Sequence, residues 1–313
     1  MRFPAAIVSL VPPVLRSRLT TANEPSAPLE RLACVLGVGV RELAAIRLGG
    51  RYHYRPFMVD KPDGRERRIF APSPDLKRLQ RLLLDGYLAQ QAIHSSATGF
   101  HRKASTARHA QPHARSRLIA TADLRDFFES TRGGRVRGWF RAQGWSGDAL
   151  GVLMRLCVFR DGLPQGAPTS PCLSNLVNFR LDERLEGLAE RSGGVYTRYG
   201  DDLAFSWNED VLPGGFLGAV EDALARSGYE IQPAKGWDVR PASARPRVTG
   251  IILAGDGRLR LPLRVRVRAI GLRLQALWTQ NPADLARSRG YDGYLKMIDR
   301  PPVVLKKRRA RRR

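Results

Sequence analysis

The run Tyr199-Gly200-Asp201-Asp202 constrains this chain more than any other stretch. Between Gly194 and Trp207, apolar and aromatic residues alternate with other types on both sides of a small, turn-prone centre. This alternation predicts a β-hairpin with Gly200-Asp201 at its tip. Two adjacent carboxylates on such a turn repel each other unless a divalent cation or several donors compensate. Mg²⁺ is the simplest explanation of the pair.

A third carboxylate follows a buried-strand pattern upstream. Residues 118–122 are apolar or small and lead directly into Asp123. If this strand pairs beside the hairpin, Asp123 faces Asp201 and Asp202, and the three acids can hold two Mg²⁺ ions about 3.5 to 4 Å apart. That arrangement serves in-line nucleotidyl transfer. The alternative is an ordinary polar hairpin with an unrelated acid at a strand end.

The charge of the chain indicates a polyanionic partner. The formal net charge is +24, which favours nucleic acid first and an anionic membrane surface second. The hydrophobic content of 43% excludes global disorder, and no apolar run approaches the roughly 20 residues of a membrane span. We therefore expect a soluble protein without a membrane partner. Cys34, Cys157 and Cys172 lack metal-site spacing, so we expect core residues in a reducing compartment.

Both ends of the chain carry positive charge. Residues 1–21 contain arginines and no acid, which is typical of organelle presequences. Pro4, Pro12 and Pro13 would interrupt a helix there, so we interpret this stretch as a native extension. Residues 306–313 are almost all Lys and Arg, and we expect a tail that adds non-specific affinity for nucleic acid.

Two further segments combine turn signals with polar side chains. Lys61-Pro62-Asp63-Gly64 predicts a turn between two strands of a basic hairpin, which is either simply solvated or binds phosphate. Gln165-Gly166 opens a loop before a helix that begins near Ser170 and runs to Gly193-Gly194. From Pro262 onward, apolar residues at helical spacing alternate with arginines, which predicts a basic amphipathic helix.

These blocks, in this order, resemble the reverse transcriptases of bacterial retrons, a group similar to group II intron enzymes. Tyr199-Gly200-Asp201-Asp202 matches the family's Tyr-x-Asp-Asp, in which Ala is the more usual second residue. Asp123 with Phe127-Phe128 matches its first acidic motif, and residues 163–171 match its Gln-Gly motif. Residues 229–231 and 247–253 are each predicted to form a strand, and Val248-Thr249-Gly250, in the second of them, matches a triplet typical of retron enzymes.

One motif of the family is only partly kept. Ala110 and His113 match the Asn-Ala-x-x-His pattern, but His109 stands where the pattern has Asn. We interpret these residues as RNA contacts or loop packing, because no acid or Cys completes a metal site with them. The substitution leaves the role of His109 open.

The resemblance implies an α+β fold: a polymerase right hand of fingers, palm and thumb, with an antiparallel palm sheet packed on helices. The implied domains are an N-terminal helical extension (1–50), fingers (51–120), palm with fingers elements (121–253), thumb (254–305) and basic tail (306–313). No ribonuclease H domain is expected after the thumb.

The resemblance also implies roles for individual residues. Asp123, Asp201 and Asp202 would be catalytic and would bind two Mg²⁺ ions, or Mn²⁺, together with the Leu124 backbone. The implied nucleotide-binding residues are Lys61, Arg67, Phe128, Gln165, Gly166 and Lys235. The implied RNA-binding residues are His113, Val248, Thr249, Gly250, Arg264 and Arg268. Phe128 would exclude a ribose 2′-hydroxyl, and Lys235 would donate a proton to the leaving pyrophosphate.

By the same resemblance, the partners are a cognate structured non-coding RNA that serves as template and primer, its DNA product and dNTPs, with an effector protein as a further candidate. The family copies part of that RNA from a 2′-hydroxyl primer in the bacterial cytoplasm, and the RNA-linked DNA (msDNA) commonly serves antiphage defence.

Three alternatives remain at this point. An RNA-dependent RNA polymerase also uses Gly-Asp-Asp, but Phe128 disfavours it. A group II intron or other bacterial reverse transcriptase fits the chemistry, but Val248-Thr249-Gly250 disfavours it. A non-catalytic RNA-binding or toxin-neutralising scaffold would not need all three acids and Gln165.

Overall fold

The computed structural model of the chain describes residues 28–47, 53–60, 66–102 and 104–299, which fall into two units. The first unit comprises the described residues up to His94 together with Asp126–Arg180, and the second comprises Ser95–Arg125 and the described residues from Leu181 onward. Residues 1–27 of the predicted extension, Lys61 and the basic tail lie outside the described residues.

Helices and strands alternate irregularly along the chain, as expected for an α+β protein. Up to the centre of the chain they are α1 (Pro28–Leu36), α2 (Val40–Arg47), β1 (Tyr54–Asp60), β2 (Glu66–Pro72), α3 (Pro74–Gly86), α4 (Thr106–Ala110), β3 (Leu118–Asp123), α5 (Phe127–Ser130), α6 (Gly133–Ala142) and α7 (Gly147–Cys157). They continue as α8 (Ser170–Val177), α9 (Phe179–Arg191), β4 (Val195–Tyr199), β5 (Asp202–Trp207), α10 (Phe216–Ala225), β6 (Asp238–Pro241), β7 (Arg247–Val248), β8 (Ile251–Leu253), β9 (Leu259–Arg260), α11 (Leu263–Thr279) and α12 (Pro282–Asp299).

The first unit is mainly helical and packs around one apolar core. Its helices bury one side each, and Leu79, Phe140 and Leu153 are completely inaccessible to solvent. α3 begins after Ser73 with Pro74 in its first turn, where the fixed φ of proline suits a helix start. Antiparallel strands β1 and β2 form the predicted basic hairpin of this unit.

The second unit is built on a four-stranded antiparallel sheet in the order β4-β5-β3-β6. β3 lies between β5 and β6, and four of its six residues are buried. Successive residues of a strand lie on opposite faces, so burial of Leu118, Ile119 and Ala120 means that both faces are covered, which accounts for the unbroken apolar and small residues before Asp123. The rings of Phe205, Trp207 and Phe216 pack α10 against the sheet.

A small sheet of strands β7, β8 and β9 forms a second apolar cluster in this unit. Val248, Ile251 and Leu253 pack there with α4 and with Ile298 of α12. Among the described residues, no helix has the length and apolar character that a membrane span requires.

Four details of the sequence interpretation were wrong or incomplete. The helix predicted from Ser170 to Gly193 is interrupted at Asn178, whose amide donates to the Ser174 carbonyl and accepts from Arg135; such side-chain bonds compete with the helical ones. Residues 229–231 do not form a strand; only Ile231 bridges Leu124, beyond the part of β3 that pairs with β6. The strand predicted over 247–253 is two strands, and α12 was not anticipated.

Candidate active site

The hairpin and the strand bring their acids to one place. β4 and β5 pair antiparallel up to Tyr199 opposite Asp202, so Gly200 and Asp201 form the predicted tip. β3 pairs with β5 on its other side, and Asp123 lies directly opposite Asp202. The predicted pairing of the strand beside the hairpin is therefore confirmed, and the three carboxylates stand at the same end of the sheet.

The carboxylates are crowded. Burial raises the pKa of Asp202 to about 8, assisted by its hydrogen bond with Asp123 and by the negative charges of Asp201 and Asp123, while Lys235 opposes the shift. Lys235 Nζ lies 2.7 Å from Asp123 Oδ2. The positive charge of Lys235 thus partly compensates a cluster that would otherwise repel itself.

The side chains of Asp123, Asp201 and Asp202 offer only carboxylate oxygens, which are ligands that hard divalent cations prefer. Among the described residues, however, no group of three His, Cys, Asp or Glu side chains is arranged to hold a metal ion as it stands. The fit rests on the donor type and on the strand register, with Asp123 and Asp202 in contact and Asp201 next in sequence.

Backbone hydrogen bonds fix the ends of these strands. The Leu124 amide donates to the Asp201 carbonyl at 2.9 Å, and the Gln232 amide donates to the Asp123 carbonyl at 2.8 Å. The peptide after Asp123 is therefore tied to the hairpin tip. Leu124, predicted as a backbone ligand, uses its N–H for this tie and leaves its carbonyl oxygen as the candidate donor to a metal.

A loop that packs on the tip explains why position 200 is glycine. Gly200 has φ +65°, and a Cβ there would lie 2.9 Å from two ring atoms of Phe100. The Phe100 ring also packs against Tyr199, with ring centroids 5.7 Å apart. This contact could not be predicted from the sequence, because Phe100 and Gly200 are 100 residues apart.

We expect Gly200→Ala to weaken the tip. An Ala at positive φ costs about 1 kcal/mol or more, and the Phe100 ring must also move. The midpoint of thermal unfolding should be lower than in the unchanged protein. The rate of nucleotide incorporation should be about tenfold lower, because a small displacement of catalytic groups reduces the reaction rate steeply.

Two further variants separate backbone strain from steric contact. Adding Phe100→Leu to Gly200→Ala should recover the steric part of the loss, because the shorter side chain leaves room for the methyl group. Gly134→Ala is the matched control: it lies in α6, has nothing within 4 Å of an added Cβ, and should slightly stabilise the helix. Unchanged stability in Gly200→Ala would contradict this account.

A buried polar network lies behind β4. The Thr197 hydroxyl is 2.8 Å from His109 Nδ1 and 2.8 Å from His113 Nε2, and His113 Nδ1 is 2.6 Å from the Ser206 hydroxyl. Ser116 donates to Ser206 at 2.9 Å. The network joins the two strands of the hairpin to the segment around α4.

Burial overturns the prediction that His113 binds RNA. Both histidines are fully buried, and both ring nitrogens of His113 are engaged inside the protein. The sequence left two interpretations of the motif at residues 109–113, RNA contact and loop packing, and the structure supports loop packing. The sequence could not reveal this, because the partners Thr197 and Ser206 are more than 80 residues away.

The two histidines should make stability depend on pH. Burial lowers the pKa of His113 to about 3 and holds that of His109 well below its ordinary value of 6.5. The unfolded chain binds these protons first, so the free energy of unfolding is at its full value above about pH 6.5. It should fall by about 1.4 kcal/mol per pH unit and per group as the pH decreases towards 3.

Denaturant unfolding between pH 4 and 8 measures this dependence. His113→Gln should reduce the slope below pH 6.5, whereas His53→Gln, which changes an exposed histidine, should leave it as in the unchanged protein. A slope that is the same in all three proteins would exclude His113 as its source.

In the first unit, Gly166 serves a backbone contact that the sequence did not predict. Its φ is +124°, and an added Cβ would lie 2.8 Å from the Phe70 carbonyl oxygen and 2.9 Å from Ile69 Cγ2. The Phe70 amide donates to the Gln165 carbonyl at 2.7 Å. Gly166 is thus required for its approach to β2, while the Gln165 side chain stays half-exposed.

The other predicted nucleotide-binding residues of this unit have clear local settings. Phe128, in α5, is partly buried against the apolar core, and its carbonyl accepts the Leu163 amide at 3.0 Å. Arg67 is exposed on β2, opposite Val59. Lys61 lies outside the described residues.

Comparison with known proteins identifies the family. A family model described as "Reverse transcriptase (RNA-dependent DNA polymerase)" matches residues 59–241. The retron Ec86 reverse transcriptase of Escherichia coli is 31% identical over 271 residues, which cover 84% of this chain and 82% of the relative. The chain belongs to the retron reverse transcriptases.

Two relatives from Myxococcus xanthus support the same assignment. The retron Mx65 reverse transcriptase is 34% identical over 298 residues, covering 86% of this chain and 68% of the relative. The retron Mx162 reverse transcriptase is 32% identical over 261 residues, covering 73% of this chain. The match spans 54% of the length of the Mx162 protein.

In this retron reverse transcriptase, the Val248-Thr249-Gly250 triplet forms a turn rather than a strand. Val248 pairs with Ile251, so Thr249 and Gly250 are the two residues of a tight hairpin loop. Their φ values of +46° and +79° match a type I′ turn, in which both central residues have positive φ. Val248 is buried, Thr249 is half-buried with its hydroxyl oxygen inaccessible to solvent, and Gly250 is exposed. Direct RNA contact is therefore open to Gly250 but not to the Val248 side chain or to the Thr249 hydroxyl.

Helix α11 of the retron reverse transcriptase displays both its arginines and its apolar residues. Arg264 and Arg268 are exposed. The apolar series, however, is exposed as well, at 57% for Val267 and 63% for Leu274. The helix packs through the small residues Ala269 and Ala276, which are buried. The amphipathic pattern therefore does not mark the packed side of α11 within the described residues.

Proposed function

We propose that this chain is the RNA-directed DNA polymerase of a retron and that it copies a structured partner RNA into RNA-linked single-stranded DNA. The observation that carries the proposal is the register that sets Asp123 opposite Asp202, with Asp201 at the adjoining tip. The family match supports the polymerase class. The right-hand arrangement and the domain limits inferred from the sequence belong to the same proposal.

Asp123, Asp201 and Asp202, with the Leu124 carbonyl, would hold two Mg²⁺ ions, or Mn²⁺. Bound there, the ions would stabilise the attacking and leaving oxygens of the displacement at the α-phosphate. The protein's own contribution is to keep three carboxylates together against their mutual repulsion, through the strand pairing and the tie between Leu124 and Asp201.

Basic residues would neutralise the triphosphate. Lys235 already contacts Asp123, and we propose that its ammonium group gives a proton to the pyrophosphate oxygen that leaves the α-phosphate. By resemblance, Lys61 and Arg67 would bind the triphosphate, and Gln165 would contact the nucleotide. Phe128 would exclude ribonucleotides.

The partner RNA would contact the Thr249-Gly250 turn, through its exposed Gly250, and the arginines of α11. RNA is recognised through shape, single-stranded bases and 2′-hydroxyls, and a tight exposed turn allows close approach of backbone. The basic tail would add affinity for any RNA. By analogy with the family, the product would stay linked to the RNA and serve antiphage defence together with an effector protein in the bacterial cytoplasm.

A primed RNA template with either dNTPs or NTPs tests the polymerase assignment. We expect Mg²⁺-dependent extension with dNTPs and at least about tenfold slower extension with NTPs, since steric exclusion of a hydroxyl is worth more than one factor of ten. Preferential use of NTPs would point to an RNA polymerase. No extension on any template would favour the RNA-binding scaffold.

Substitutions in the turn test the RNA contact. Thr249→Ser with Gly250→Ala should reduce synthesis on the cognate RNA more than synthesis on a generic primed template. Removal of residues 306–313 should weaken binding to all RNAs alike and flatten its salt dependence. If the turn variant loses both activities equally, the turn has no role in RNA recognition.

A further inference from the structure

A fully buried ion pair lies directly beneath the hairpin tip. Arg198, in β4, and Asp182, in α9, both have side chains with 0% exposure. The guanidinium donates from Nε to Asp182 Oδ1 at 2.8 Å and from Nη2 to Oδ2 at 2.6 Å. Burial opposes the positive charge, but the charge and hydrogen bonds of Asp182, with Tyr196 and Tyr229, together raise the pKa of Arg198.

The same guanidinium also reaches the tip. Its remaining nitrogen, Nη1, donates to the Gly200 carbonyl oxygen at 3.2 Å. Gly200 is a turn residue at positive φ and lies outside the strand ladder. The Asp201 carbonyl accepts the Leu124 amide, so hydrogen bonds from outside the turn hold two successive carbonyls of the segment that carries Asp201 and Asp202.

Both the backbone and the partner of Arg198 are fixed as well. The Arg198 amide donates to the Ser96 carbonyl at 2.8 Å, and its own carbonyl accepts the Thr98 amide at 2.8 Å and the Thr98 hydroxyl at 2.9 Å. The Tyr196 hydroxyl donates to Asp182 Oδ1 at 2.8 Å. The donor to Gly200 therefore has little freedom to move.

Stability alone does not account for such a pair. Removing two charges from water costs about as much as their attraction returns, and apolar pairs of similar size are often equally stable. A planar guanidinium, in contrast, can serve a carboxylate with two nitrogens and still direct a third at a fixed acceptor. An apolar pair cannot donate a hydrogen bond to a carbonyl oxygen.

We propose that Arg198, oriented by Asp182, is a positioning residue that sets the conformation of the tip and thereby the placement of the Asp201 and Asp202 carboxylates. The inference rests on the proposed polymerase function. Arg198 touches no reacting atom in this role and acts through the Gly200 carbonyl. A displacement of about 1 Å at reacting groups can cost about 100-fold in rate, so a single hydrogen bond to the tip has a measurable consequence.

The test replaces both charges together. In Arg198→Met with Asp182→Asn, no buried charge is stranded, and the Asn oxygen still accepts from Tyr196. We expect a folded protein with an unfolding midpoint near that of the unchanged chain, an about 100-fold lower kcat for single-nucleotide incorporation, and a KM for the dNTP within about threefold. A purely structural role predicts no such split between kcat and KM.

A physical readout accompanies the kinetics. Amide hydrogen exchange should become at least about tenfold faster in residues 198–202 of the double variant, because the tip opens locally when a restraining hydrogen bond is lost. Exchange in β3 should stay the same. Arg198→Lys, which keeps the charge but cannot span both acceptors, should fold and fall between the double variant and the unchanged chain in rate.

The matched control is Arg226→Met with Asp222→Asn, the same chemical change in an exposed pair of α10 and its end. It should have the kcat of the unchanged chain. A folded double variant at Arg198 and Asp182 with a kcat within threefold of the unchanged chain overturns the proposal. Should that variant not fold, a full rate in Arg198→Lys overturns it instead. Failure of the polymerase function itself would show as an inactive unchanged chain.

Discussion

Replacing Asp201 with Asn should reduce primer extension by at least about 10³-fold, which corresponds to about 4 kcal/mol of lost transition-state stabilisation. A neutral amide is a poor ligand for Mg²⁺, and the variant leaves two carboxylates for a site proposed to need three. Single-nucleotide incorporation on a primed RNA template measures the loss.

The fold and RNA binding should survive this substitution. The Asp201 backbone carbonyl keeps its hydrogen bond from Leu124, and the amide relieves like-charge repulsion on Asp202. The unfolding midpoint measured with EDTA should therefore not decrease. Asp210→Asn, at an exposed acid paired with Arg117, is the matched control and should retain full activity. Extension by Asp201→Asn at a near-normal rate would remove the metal assignment.

Truncating Phe128 to Ala should raise the incorporation of ribonucleotides relative to deoxyribonucleotides by about 10- to 100-fold. The phenyl ring is held from one side by the apolar core and by Phe127, with ring centroids 5.4 Å apart. A ring restrained in this way can exclude a hydroxyl by steric contact, and each factor of ten corresponds to 1.36 kcal/mol. Competition between each NTP and its dNTP gives the ratio directly.

Phe128→Tyr is the control for that experiment, because it keeps the ring and its packing. It should retain the discrimination of the unchanged protein, while Phe128→Ala loses both discrimination and some stability. Equal ratios in Phe128→Ala and the unchanged protein would mean that another residue selects the sugar.

The sequence predicted the hairpin and its neighbouring strand because both signals are local. Alternation around Gly200 and an apolar run before Asp123 are sufficient, since register follows from which face is buried. The turn signal at Lys61-Pro62-Asp63-Gly64 likewise predicts a hairpin, and β1 and β2 pair as expected.

What the sequence could not predict depends on partners that are distant in the chain or on backbone conformation. Arg198 is one of many basic residues in the sequence, yet its side chain is completely buried and paired with Asp182. His113 was predicted to bind RNA, but its two ring nitrogens form hydrogen bonds with the Thr197 and Ser206 hydroxyls inside the protein. The Thr249-Gly250 turn could not be predicted, because Thr favours strands and rarely adopts positive φ.

The product made on the cognate RNA tests the central claim most directly. The purified chain is incubated with Mg²⁺, dNTPs and the structured RNA transcribed from the DNA that flanks its gene, and the product is separated under denaturing conditions. We predict DNA that remains attached to the RNA through a 2′,5′ linkage, is released by a debranching enzyme, and is absent with Asp201→Asn. Free DNA, made equally well on unrelated primed templates, would contradict the retron function.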